Sequence, residues 1–325
     1  LKRDTLYAIG EALIDFMPDR TGCAFKDVGS FSPALGGAPA NVCGAFCRLG
    51  GRSEIITQLG NDPFGHKIAE ELEAYGVGTE HICFTDEANT SLAFVSLAAD
   101  GERTFSFYRS PAADMLLGPG QVHREWFADA FALHFCSVSL GDTPMKRAHE
   151  AAIRYAREAG AIISFDPNLR FSLWPDKAAL RQVVRDFLPA AHVLKISDEE
   201  LEFIAGTGDI ESALPLLMQG NVQLVLFTCG RRGAWAFTRT ARAFSPAVSA
   251  RAVDTTGAGD AFTGSFLYRL YARGATADTL SFLDEAALQA DLAFSNRYCG
   301  VSVCRRGALA SYPTAAQMQA ILSEI

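Results

Sequence analysis

Residues 254–262 read D-T-T-G-A-G-D-A-F, and the small residues at their centre decide how the rest of the chain is read. Ahead of them, Ala243 to Val253 has a strand-like pattern. Behind them, Ala261, Phe262, Phe266, Leu267, Leu270 and Tyr271 recur on one helix face, which Gly274 closes. Gly257, Ala258 and Gly259 put no bulk at the helix start. Backbone N–H groups are therefore reachable there, with the positive end of the helix dipole behind them, which suits an anion such as phosphate. Asp260 stands at the mouth of this place. A carboxylate repels phosphate oxygens, so it needs another reason to be there. Asp favours a first helical turn by about 0.3–1 kcal/mol; alternatively, it takes a proton from a hydroxyl that attacks the phosphate. The nine residues alone leave both open.

Working back toward the N-terminus, strand and helix patterns alternate regularly from Phe131. Strand Phe131 to Val138 precedes a helix that starts at Thr143-Pro144 and stops at Gly160. Strand Ala161 to Phe165 runs into D-P-N-L-R. Helix 176–188, strand Ala191 to Ile196, helices from Ser197 to Gly220 and strand Val222 to Thr228 follow. This rhythm predicts an α/β fold with a mostly parallel sheet covered by helices on both faces. Ligands of such sheets gather at the carboxyl ends of the strands. Asp166, Arg170, Lys195, Thr228, Gly230 and the 254–260 loop all fall there.

The first third of the chain departs from that rhythm. Leu6 to Gly10 reads as a buried parallel strand, but Glu11 to Pro18 alternates and Phe25 to Leu35 is a second extended stretch. Gly36-Gly37-Ala38-Pro39-Ala40-Asn41 opens a helix closed by Gly50-Gly51. Its glycines suit either a tight turn or close approach of the backbone to a ligand, and Asn41 offers both donor and acceptor. Glu54 to Leu59 reads as a strand, and Asn61 and Asp62 as turn residues before a helix with Pro63 at its first position. Ser91 to Ala98 and Arg103 to Arg109 flank A-A-D-G-E, an Asp-Gly hairpin signal. The expectation is one domain over 1–325, with a small β-sheet lid formed by about 12–35 and 90–110.

Composition bounds the rest. The chain has 325 residues, 49% apolar and 20% charged, with net charge −8, so there is no basic surplus for nucleic acid. No apolar run approaches the ~20 residues of a membrane span. The opening K-R-D leads into a strand-like run broken by Glu11 and Asp15, unlike a secretory leader. Eight cysteines contain no C-x-x-C pair, and Cys43 and Cys47 share a helix face as core residues; a reducing cytoplasm is expected. There is no G-x-x-x-x-G-K-[ST], no G-x-G-x-x-G after the first strand and no H-R-D.

G-G-A-P-A-N (36–41), G-N-D-P-F-G (60–65) and D-T-T-G-A-G-D-A-F (254–262) resemble, in order and spacing, the signatures of the ribokinase-like (PfkB) carbohydrate kinases. K-I-S-D-E-E-L (195–201) and F-D-P-N-L-R (165–170) are similar to the bacterial fructokinases and ketodeoxygluconate kinases in particular. The resemblance implies an ATP-dependent kinase acting on a primary hydroxyl, with D-fructose at O6 first. A 2-keto-3-deoxygluconate or ribosyl-nucleoside kinase, or a non-catalytic sugar or nucleotide sensor, are the alternatives. It implies that Asp260 is the base and that Gly257, Ala258 and Gly259 form the anion hole. Asp15, Gly36, Gly37, Asn41, Phe107 and Arg170 resemble sugar contacts, and Lys195, Thr228, Gly230, Gly233 and Asn296 nucleotide contacts. Glu200 matches an acid holding Mg²⁺ through water. Asp254, Thr256, Ser302, Arg305, Gly307 and Ser311 match a monovalent-cation site, for which K⁺ is expected. Ser197 replaces the asparagine of the family's N-x-x-E, and Cys304 stands where threonine is common. A homodimer through the lid is also expected.

Overall fold

The first strand, β1 (Thr5–Ile9), is buried at every position, as a strand covered by helices on both faces must be. The computed structural model describes residues 2–20, 22–97 and 103–323. In chain order the further elements begin with β2 (Leu13–Pro18), β3 (Phe31–Gly36), α1 (Ala38–Arg48), β4 (Arg52–Gly60), α2 (Pro63–Ala74) and β5 (Ile82–Thr85). Next come β6 (Leu92–Leu97), β7 (Arg103–Tyr108), β8 (Ala130–Cys136), α3 (Pro144–Glu158), β9 (Ile162–Asp166) and α4 (Lys177–Phe187). The C-terminal third holds β10 (Val193–Ser197), α5 (Asp198–Ala205), α6 (Ile210–Leu217), β11 (Leu224–Thr228), β12 (Ala234–Phe237) and β13 (Arg242–Ser245). It ends with α7 (Ala258–Ala272), α8 (Glu285–Ser302) and α9 (Ala315–Ser323).

The larger sheet has the order β13-β12-β11-β10-β9-β8-β1-β4-β5. Every pair from β11 to β5 is parallel, and β12 and β13 are added antiparallel at one edge. The chain leaves β1 first toward β4 and β5, then returns to β8 on the other side. That reversal opens a crevice between β1 and β8 at the strands' carboxyl ends, where α/β sheets take their ligands. One face is covered by α3 to α6 through Met145, Ala152, Leu180, Val184, Leu201 and Leu217. The other is covered by α1, α7 and α8 through Val42, Phe46, Phe262, Phe266, Leu270 and Leu292. Each large apolar side chain fully buried in these layers stabilises the fold by about 1.5–3 kcal/mol.

A second sheet, β3-β2-β6-β7, springs from the end of β1. Its β2 and β6 are parallel and its outer pairs antiparallel. The register aligns Ala34, Asp15, Ala93 and Phe107 in one row across the four strands, so these side chains share a face. The A-A-D-G-E turn between β6 and β7 lies outside the described residues.

Two expectations are corrected. The strand predicted over Ala243 to Val253 ends at Ser245 and pairs antiparallel with β12. Pro246 has no N–H to continue the ladder, and Asn296 Nδ2 binds the carbonyls of Ser245 (2.8 Å) and Pro246 (3.2 Å). The extended stretch over Phe25 to Leu35 begins instead with a 3₁₀ turn at Phe25–Asp27 and becomes strand only at Phe31.

Helices α1 and α7 approach closely because Gly264 carries no side chain. A Cβ there would stand 2.6 Å from Ala45 Cβ and 2.7 Å from Val42 O. Gly264→Val is expected to separate the two helices and to cost about 1–3 kcal/mol, the usual range for overpacking. Urea unfolding measures it, and an unchanged midpoint would contradict the close crossing.

Candidate active site

Gly37, with φ +104°, turns the chain into α1; a Cβ there would lie 2.4 Å from Glu11 O, so the position demands glycine. The turn sets Asn41 in the first turns of α1, buried and aimed at α7. Asn41 Nδ2 donates to Asp260 Oδ2 at 2.8 Å. The other carboxylate oxygen, Oδ1, accepts from Asn168 Nδ2 at 3.2 Å. Asn168 follows Pro167 at the end of β9 in a left-handed conformation (φ 46°), which asparagine tolerates better than most residues. Its own N–H donates to Asp166 Oδ1 at 3.0 Å. Asp260 is only 7% exposed. Burial pushes its pKa up, while Asn41, Arg170, Lys195 and Asn168 pull it down; the net shift is upward. That makes it a stronger base than a surface aspartate.

The loop before α7 is held from behind. Gly257 is left-handed (φ 71°), its carbonyl accepts from Tyr312 Oη at 2.8 Å, and a Cβ would collide with Tyr312 Oη at 2.6 Å. Of the three amides named from the sequence, that of Ala258 donates to Thr255 O at 3.2 Å. Those of Gly257 and Gly259 donate to no backbone carbonyl among the described residues. Lys195 Nζ lies 3.4 Å from where a Cβ on Gly259 would stand, so the ammonium faces the loop.

Lys195 pairs with Asp166 Oδ2 at 3.1 Å, both side chains buried. Burial works against its charge, but Asp166 and Glu200 outweigh burial and its pKa is raised. Asp166 also rises, through burial first; Lys195 pulls it down while Glu200 and Asp260 push it up. Three carboxylates share one ammonium. Glu200 itself caps α5: Oε2 accepts from Ser197 N and Oγ, both at 2.9 Å, and Oε1 accepts from Leu169 N at 2.8 Å. The Ser197 hydroxyl thus binds Glu200 at the position where the resemblance expects asparagine.

The remaining expected residues fall in three groups. Among those expected to bind the sugar, the Asp15 carboxylate lies against Gly36, where a Cβ would be 2.2 Å from Asp15 Oδ2. Arg170 donates to Leu169 O at 3.0 Å and stands 6.0 Å from the Phe105 ring centre. Phe107 lines a cavity of about 480 Å³ together with Phe105, Arg109, Ser139 and Asp142. Among those expected to bind the nucleotide, Thr228 ends β11, and Gly230 and Gly233 bound the turn into β12. Asn296 engages its amide on the Ser245 and Pro246 carbonyls. In the third group, Asp254 Oδ1 accepts from Thr256 N (2.9 Å) and Oγ1 (2.7 Å), and Oδ2 from Gly307 N (2.9 Å). Ser302 Oγ bonds Ser311 Oγ at 2.9 Å, while Arg305 is exposed. Among the described residues no group of three or more His, Cys, Asp or Glu side chains is arranged to hold a metal alone. No described helix is long and apolar enough to cross a membrane.

The sequence position of Asp166 marks a strand end but no role, and nothing in the sequence reading singles out Asn168 or Tyr312. The D-P-N run after β9 was the available signal for Asn168, since a proline followed by asparagine marks a turn that redirects a side chain. Tyr312 lies 55 residues from Gly257 and no local pattern marks it.

Residues 3–315 match the model of the pfkB family carbohydrate kinases. The chain is 39% identical to probable fructokinase-5 of Arabidopsis thaliana, over 98% of this chain and 97% of that protein. Among solved structures it resembles an ATP-bound fructokinase from Xylella fastidiosa, with TM-score 0.92, 36% identity and coverage of 100% and 99% of the two chains. A double-mutant fructokinase from Vibrio cholerae O395, in a fructose-, ADP- and potassium-ion-bound form, gives TM-score 0.87, 32% identity and coverage of 99% of each chain. This chain belongs to the PfkB family of carbohydrate kinases.

Lys195→Met leaves the buried carboxylates without their cation. Removing one partner of a buried pair typically costs about 3–5 kcal/mol. With the ammonium gone the folded-state pKa of Asp166 rises further, and stability tied to a raised carboxylate is lost as pH rises through that pKa. The penalty is therefore expected to be smaller at pH 5 than at pH 8 in denaturant unfolding. Equal penalties would mean that the ammonium does not hold the acids.

Proposed function

We propose that this carbohydrate kinase transfers the γ-phosphoryl group of ATP to O6 of D-fructose, giving fructose 6-phosphate. The observation that carries the reading is the buried Asp260 carboxylate, held by an amide on each oxygen and preceded in the chain by the Gly257 and Gly259 amides, which donate to no backbone carbonyl among the described residues. Fructose as acceptor is supported by the names of the relatives and by the fructose bound to the Vibrio cholerae neighbour.

The residues divide the work as follows. Asp15, with Gly36 and Gly37, binds sugar hydroxyls on the crevice floor, and Phe107 and Arg170 flank the ring. Asp260 accepts the proton of the attacking hydroxyl, and its raised pKa matches it to that task. Asn41 and Asn168 fix both of its oxygens, so one lone-pair direction faces the substrate. The Gly257 and Gly259 amides and the Lys195 ammonium stabilise the charge on the moving phosphoryl oxygens, which is where phosphoryl transfer gains most. Thr228, Gly230, Gly233 and Asn296 border the nucleotide.

Glu200 and Asp166 would hold Mg²⁺ through water, in keeping with this ion's habit of using one or two carboxylates plus phosphates. Bound there, the ion neutralises nucleotide phosphate charge. Glu200 fits, because its three accepted hydrogen bonds leave acceptor capacity on the carboxylate. The loops at 254–256 and 302–311 are our proposed K⁺ site, supported by the potassium-bound neighbour. Eight unpaired cysteines support a reducing cytoplasm.

Asp260→Asn is expected to lower kcat at least a hundredfold, the lower bound for general-base help, with ATP affinity near normal. Near-wild-type turnover would remove Asp260 from the mechanism. A sugar panel with ATP consumption read out tests the acceptor; no turnover of fructose rejects it.

We also propose that the second sheet covers the acceptor and that its outer aromatic face pairs two copies. Phe16 and Phe94 stack there at 4.7 Å, and Tyr108 is 64% exposed. Fructose is expected to slow hydrogen exchange in β6 and β7, and sedimentation is expected to give a dimer that Tyr108→Asp weakens. Unchanged exchange, or a monomer, contradicts the respective half.

A further inference from the structure

Arg109 lines the same cavity as Phe107, but four of its five N–H groups are already taken by the protein. Nε donates to Asp114 Oδ2 at 3.1 Å, and Nη2 donates to Asp114 and to Ser139 Oγ (3.0 Å). Nη1 donates to Val138 O at 3.3 Å. Ser139 Oγ in turn donates to Glu11 Oε2 at 2.9 Å, and Ser91 Oγ to the second Asp114 oxygen at 2.5 Å. Arg109, Asp114 and Glu11 are 9%, 1% and 3% exposed. One cation therefore sits between two buried acids, with every connection made inside the protein. Burial favours the neutral form of Glu11 and the Arg109 charge opposes that, so the group carries no positive surplus in either state.

A buried ion pair is a poor source of stability, because desolvation offsets the attraction. Its effect here is on the cavity wall, which would otherwise present a desolvated guanidinium, the side chain best shaped to grip a carboxylate. Asp142 lines the same cavity, exposed and making no ion pair among the described residues. The wall thus offers aromatic faces and hydroxyls to a sugar, and negative charge at its rim.

We propose that Asp114 and Glu11, behind Arg109, and Asp142 at the rim act as a charge filter that admits uncharged sugars and turns away sugars bearing a carboxylate. This deepens the acceptor assignment above and rests on it. The filter resolves the choice between a ketohexose and a 2-keto-3-deoxy sugar acid, which share an attacking primary hydroxyl and differ in charge. Arg170 gives one N–H to Leu169 O, stands over the Phe105 ring, and lies close enough to Asp260 to pull its pKa down, so its charge is opposed by that carboxylate.

The test is the ratio of kcat/KM for 2-keto-3-deoxygluconate to that for fructose, measured with ATP on the whole protein. Wild type is expected to favour fructose strongly. Asp114→Asn releases Arg109 and is expected to move the ratio at least tenfold toward the acid, with KM for ATP unchanged. Asp142→Asn, at an exposed position that tolerates substitution, is expected to move it about threefold the same way, and it decides alone if Asp114→Asn does not fold. Wild type favouring fructose with both ratios unmoved, or Asp114→Asn lowering both substrates equally, overturns the filter and leaves the fructose assignment standing. Wild type favouring the sugar acid overturns both.

Discussion

The hydrogen bond from Asn41 to Asp260 joins two residues 219 positions apart, and the centre of the molecule depends on it. It exists only because α1 and α7 cross at Gly264, close enough for one short amide to span the gap. Packing and chemistry are therefore one constraint. Two of the three helices that cover this face of the sheet, α1 and α7, each open on a glycine in a conformation other residues avoid. Their N-termini meet, and the carboxylate between them is held away from the anion-seeking amides by amide donors on both oxygens.

The charge balance around Lys195 follows from that placement. Asp166, Glu200 and Asp260 are all buried around a single ammonium, an arrangement that raises the pKa of Asp166 and Asp260. Such a cluster is unfavourable in isolation. Under the proposed function, a divalent cation bound beside Asp166 and Glu200 would offset that excess of negative charge. Glu200 is kept from joining Asp260 by its cap on Ser197 and Leu169, which ties α5 to the strand end that carries Asn168.

What could be read from the sequence were the features with local causes. The β-α rhythm from Phe131 follows from apolar runs punctuated by Gly160 and Pro144, and β8 to β11 lie within a residue or two of where that rhythm put them. The small residues of 257–259 announced a helix start, and one is there. What could not be read was set by partners distant in the chain. The stretch after Ser245 is apolar enough for a strand, but Pro246 and the amide of Asn296 end it. Edge strands β12 and β13 are short and had no hairpin signal. Ala258 looked equivalent to its glycine neighbours, yet its amide is turned onto Thr255 O by a loop geometry that Tyr312 fixes from the far end of the chain. Arg109, in a hairpin that read as a cover, owes its meaning to Asp114 and Ser139, which a linear reading leaves unconnected to it.

The reversal of strand order beside β1 explains why so many of these contacts converge. A crevice at a switch point has strand ends on both sides and no helix crossing it. The protein fills that opening from two directions: β2 leaves it directly from β1, and β7 returns to it, bringing Arg109 back to the end of β8. The second sheet is anchored there by apolar packing of Ile14, Leu35 and Leu92 into the core and, beside it, by the buried Arg109–Asp114 pair. The ion pair adds little to stability beyond that packing; under the proposed filter it sets the charge of the wall that the acceptor meets, so the attachment of the sheet and the selection of the sugar share side chains.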